Sequence, residues 1–103
     1  MAATIEDYRA HLFAKLANCQ VPDHCRDGLV DYFSLRHLPG GFLTAVLENN
    51  LMEAFGRADD TNRSTMFNYV DFLYNYAPAP AWGSPAKVLA WVEDPKPVPF
   101  LFE

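Results

Sequence analysis

Apolar residues recur at three- and four-residue spacing along most of the chain, the period of a helix that buries one face. Ile5, Tyr8, Leu12, Phe13 and Leu16 form the first stripe, with Glu6, Arg9, Lys15 and Asn18 on the opposite side. Thr4 followed by Asp7 reads as its N-cap and first-turn acid. Val21-Pro22 predicts its end near residues 18–20, because the residue before a proline disfavours helix. A second helix is predicted from Pro22–Asp23 through Cys25, Leu29, Val30, Tyr32 and Phe33, with Asp23 as a cap and favourable charge. Leu38-Pro39-Gly40-Gly41 stops it, the glycines permitting positive φ. Phe42, Leu43, Ala45, Val46 and Leu47 predict a short buried helix. Asn49 is placed to close it in the left-handed conformation, and Asn50 with Glu53 to open the next, through Leu51, Met52, Ala54 and Phe55.

Asp59 or Asp60 then starts a longer helix that runs to Tyr76. Met66, Phe67, Tyr69, Val70, Phe72, Leu73, Tyr74 and Tyr76 cover it nearly all the way round. Such a helix is expected at the centre of a fold, packed by several neighbours or by a second subunit. Ala77-Pro78-Ala79-Pro80 ends it. Ser84 and Pro85 supply the N-cap and first residue of a last helix through Val88, Leu89, Trp91 and Val92. Asp94-Pro95-Lys96-Pro97-Val98-Pro99 suits neither a helix nor a central strand. The predicted architecture is all-α: a compact single-domain bundle of five or six short helices over residues 1–93. An extended proline-rich tail, 94–103, carries Phe100-Leu101-Phe102.

Composition narrows the function classes. The chain has 103 residues, 50% of them hydrophobic and 15% aromatic, with a net charge of -5. This length fits one domain, and the aromatic content excludes a disordered acidic tail. The acidic balance argues against direct binding of a nucleic-acid backbone, which needs clustered Lys and Arg. No apolar run approaches the ~20 residues of a membrane span, and the N-terminus lacks a basic-then-apolar leader pattern. A cytoplasmic setting is therefore expected, with Cys19 and Cys25 as free thiols that pack as small apolar residues.

Three constellations bear on chemistry. Asp60, Asn62, Ser64, Met66, Asn68 and Asp71 match the ligand spacing of a calcium-binding EF-hand loop. Thr65 stands where that loop needs glycine, and Asp71 where it needs a bidentate Glu, so a polar helix start explains the run better. His11, Cys19, His24, Cys25 and His37 lack the spacing of a structural zinc site. Cys25 with His24 or His37, oriented by Asp27 or Asp31, has no oxyanion element beside it. The expectation is a chain that is not an enzyme and uses no metal or cofactor.

The run from Leu38 to Leu47, its continuation from Leu51 to Arg63, and the strings Phe72-Leu73-Tyr74-Asn75 and Trp82-Gly83-Ser84-Pro85 resemble a family of small bacteriophage and prophage proteins. The resemblance spans roughly residues 20–92 and transfers no catalytic residue. It implies a small protein in the cytoplasm of a bacterial host. Small phage proteins without enzymatic motifs often occlude a host protein, for example a defence system such as CRISPR. By that analogy the expected function is an acidic protein–protein interaction module that binds a host or phage protein and inhibits host defence. The candidate contacts are Asp59, Asp60 and neighbouring Arg63 for a basic partner, and Trp82, Phe100 and Phe102 for an apolar one. Two alternatives are a homodimeric phage structural or accessory protein and an ion-binding regulatory domain at Asp60–Asp71. The apolar content exceeds what one small core hides, which favours a partner.

Overall fold

The computed structural model describes residues 4–98. Seven α-helices and no strand occur among them: α1 Ile5–Asn18, α2 Asp23–Leu35, α3 Gly41–Leu47, α4 Leu51–Arg57, α5 Asp60–Ser64, α6 Met66–Tyr76 and α7 Pro85–Glu93. A 3-10 turn at Ala79–Ala81 precedes α7. The protein is all-α.

The helix starts follow local side-chain chemistry. Asp7 N–H donates to Thr4 Oγ1 at 3.2 Å and Thr4 N–H donates back to Asp7 Oδ2 at 3.0 Å, a reciprocal capping box. Asn50 Oδ1 accepts from Glu53 N–H at 3.3 Å, and Ser84 Oγ accepts from Lys87 N–H at 3.2 Å. Asn49 closes α3 with φ 60°. Pro22, in contrast, occupies the cap position of α2 and makes no side-chain cap bond.

Two boundaries differ from the sequence expectation. The second helix ends at Leu35, because Arg36 enters the left-handed conformation (φ 61°) three residues before the proline. Gly40 then sits at φ -66° and uses none of its freedom. The helix expected from Asp60 to Tyr76 is two helices. Thr65 Oγ1 donates to the carbonyl of Thr61 at 2.7 Å, and Ser64 Oγ to the same oxygen at 3.0 Å. Such back-bonding competes with the helical ladder. The chain breaks at Thr65, where φ is -115° and ψ 18°.

The core gathers Tyr8, Leu12 and Leu16 of α1, Leu29, Val30, Tyr32 and Phe33 of α2, and Leu43 and Leu47 of α3. Tyr69, Phe72 and Leu73 of α6 and Val88 and Trp91 of α7 complete it. α6 lies at the edge of this core, with Tyr69, Phe72 and Leu73 turned inward. Its opposite apolar side faces outward, so the expected central position is not the one observed. Polar bonds in an apolar setting tie α2 to α7 and to the turn before it: Trp91 Nε1 donates to the carbonyl of Tyr32 at 2.9 Å, and Tyr32 Oη donates to the carbonyl of Ala81. Arg36 then holds the chain beyond α7, donating to the carbonyl of Lys96 at 3.0 Å and lying 3.6 Å from Asp94.

Candidate interaction surface

α4 buries only Ala54 and α6 buries Tyr69, Phe72 and Leu73, and both keep large apolar residues on their outer sides. On α4, Leu51 is 61% exposed, Met52 83% and Phe55 37%; on α6, Phe67 is 75% exposed, Val70 53% and Tyr74 79%. Positions 67, 70 and 74 share one helical face, as do 51 and 55. The two faces meet at a dimple of about 60 Å³ lined by Ala45, Val46, Leu51, Ala54, Met66 and Val70, with Asn49 and Asn50 at its edge. None of the six exposed side chains carries a charge. Exposed apolar residues grouped on neighbouring helix faces make this side of the fold the candidate contact surface.

A second cleft of about 310 Å³, of mixed polar and apolar lining, lies around His24, Cys25, Phe42, Leu43, Arg57, Asp59 and Asn62. Asp59 caps α5 by accepting from Asn62 N–H at 2.7 Å, which leaves its other oxygen 3.2 Å from His24 Nε2. Asn62 is buried, and its Oδ1 accepts from Tyr69 Oη at 2.6 Å and from Cys25 Sγ at 3.7 Å. Burial, followed by the bond with Cys25, pushes the Tyr69 phenol far above its ordinary range. The thiol of Cys25 thus points at an amide oxygen, not at a base. Cys19 is also buried and free, its thiol raised by burial and then by Asp71. No cluster of three His, Cys, Asp or Glu side chains able to hold a metal occurs among the described residues. The run from Asp60 to Asp71 is helical around the break at Thr65, so its EF-hand spacing does not become a loop.

The residues singled out in the sequence are dispersed. Asp59, Asp60 and Arg63 cluster at α5, where Arg63 Nη1 lies 3.5 Å from Asp60, but Asp59 is occupied by capping and by His24. Trp82 packs half-buried against the core, and its Nε1 is buried without an acceptor among the described residues. Phe100 and Phe102 lie outside the described residues. The exposed outer residues of α4 and α6 were not among the residues singled out in the sequence. The available signal was the all-round apolar pattern of 66–76, whose second face is the stripe 67, 70, 74.

The arginines are paired within the fold. Arg9, Arg26, Arg36, Arg57 and Arg63, all the arginines of the chain, each lie within 4.0 Å of an acidic side chain. They build no basic groove. No helix among the described residues is long and apolar enough to cross a membrane. Compared with protein-family models, with curated proteins and with solved structures, the chain matches none.

Proposed function

We propose that this chain is a helical protein–protein interaction module whose contact surface is the apolar band of α4 and α6. The observation that carries this reading is the band itself: six large apolar residues left in water on two helices, of which Leu51 and Val70 line one shared dimple. Interfaces take their energy from desolvated aromatic, Met and aliphatic side chains of this kind, surrounded by a polar rim. The resemblance to small phage proteins supplies the biological setting, interference with a bacterial host protein such as a defence component. The modest charge of -5 supports an apolar contact over mimicry of nucleic acid, which needs a denser acidic face.

Affinity capture from bacterial lysate tests the reading. The wild type is compared with Phe67→Glu on the band and with Leu89→Glu, an exposed apolar residue of α7. Protein retained by the wild type and Leu89→Glu but lost with Phe67→Glu supports it. A retained set that is identical for all three, from a wild type that is itself monomeric, contradicts it.

A further inference from the structure

We propose that the band is occupied by a second copy of this chain, forming a two-fold dimer through α4 and α6. This rests on the reading of the band as a contact surface and names its occupant. The first argument is size. At the ~200 Å² that a large apolar residue offers when free, the exposed fractions of Leu51, Met52, Phe55, Phe67, Val70 and Tyr74 amount to on the order of 800 Å². A standard interface buries about 800 Å² on each partner. The band therefore suffices for a stable dimer without any contribution from elsewhere.

The second argument is self-complementarity. A two-fold interface presents the same patch to itself, so any net charge in it is repelled by its own copy. The chain is acidic overall, yet the six band residues are uncharged and the rim nearest the dimple is Asn49 and Asn50. Phe67 and Tyr74 share the face of α6 that carries Val70, and Val70 lines the dimple with Leu51 and Met66. Glu53 and Asp71 flank the band on α4 and α6, and their repulsion across the two-fold axis is screened by salt.

Sedimentation equilibrium and light scattering of the full chain test this from about 5 to about 500 µM, where interfaces of modest affinity separate. The expected result is a species of twice 11.6 kDa at the upper end, with dissociation on dilution and tighter association at higher salt. Phe67→Glu and, independently, Tyr74→Glu shift the dissociation constant upward at least tenfold, whereas Leu89→Glu leaves it within twofold. Both band positions are more than two-thirds exposed, and circular dichroism confirms that each variant is folded. A wild type that stays monomeric throughout overturns the proposal, as does a dimer insensitive to both variants or an open-ended polymer. A monomer that still captures another protein through Phe67 overturns the dimer alone and leaves the interaction module standing.

Discussion

The guanidinium of Arg36 lies 4.1 Å over the ring of Trp91 and donates to the carbonyl of that same residue at 2.9 Å. One side chain at the left-handed end of α2 thereby fastens the last helix by its ring and by its backbone. With Asp94 and the carbonyl of Lys96 it saturates most of its donors in a site that leaves it only 9% exposed. Arg36→Ala removes the cation–π contact and leaves the carbonyls of Trp91 and Lys96 without this donor. The expected loss is about 2–4 kcal/mol in urea unfolding. Arg36→Lys recovers less than half of it, because an ammonium cannot stack and fork together. Equal midpoints for Arg36→Ala and wild type would remove this residue from the account of the fold.

Asn62 accepts from two buried donors with one oxygen, so its loss and theirs are unequal. Tyr69→Phe deletes one donor, and Asn62 keeps Cys25. The expected cost is about 1–2 kcal/mol. Asn62→Leu keeps the backbone N–H that Asp59 accepts from but orphans both buried donors, so it costs more than Tyr69→Phe. Denaturant midpoints of the two variants, measured side by side, check the order.

Alkaline pH acts on the same buried phenols. Burial pushes Tyr8 up to about 12 and moves Tyr32 and Tyr69 in the same direction. A phenol raised in the fold contributes its stabilisation fully below the unfolded value of about 10 and loses it as pH rises toward the folded value. Stability is expected to fall above pH 10, by about 1.4 kcal/mol per pH unit for each such phenol. Tyr8→Phe makes that decline shallower. A stability profile flat from pH 9 to about 12 contradicts the burial of these rings.

The two thiols report on the integrity of the core. Cys19 and Cys25 are buried, and Cys19 is further held protonated by its surroundings. Neither is expected to react with a thiol reagent at pH 7.5 on the timescale of minutes, while both react at once in concentrated guanidinium. Stoichiometric labelling of the folded protein would show that α1 and α2 open far more readily than their packing implies.

Short-range chemistry carried most of the fold into the sequence. Thr4 with Asp7, Asn50 with Glu53 and Ser84 with Pro85 each act within one helical turn, so the chain itself shows where those helices begin. The turn at Arg36 was hidden because its reason is distant: the left-handed conformation is stabilised by Trp91, Asp94 and Lys96, nearly sixty residues on. The break at Thr65 was hidden by the apolar run after it, which outweighs two hydroxyls in any pattern count. The proposed contact surface was half visible. An all-round apolar helix announces surplus, but the side of α6 that faces the core is set by packing against Phe33 and Phe42, at ring distances of 6.0 and 5.4 Å. Only that packing leaves Phe67, Val70 and Tyr74 outside. Trp82, a natural choice from composition, turned inward.

Whether the α4–α6 band is covered in a living cell is the central claim, and site-specific photo-crosslinking reads it without naming the occupant beforehand. A benzophenone amino acid replaces Tyr74 on the band or, as a control, Asp27 on the exposed side of α2. After illumination of bacteria making the protein, a discrete adduct is predicted from position 74 and none from position 27. No adduct from position 74, or the same adducts from both positions, would contradict a contact surface built on α4 and α6.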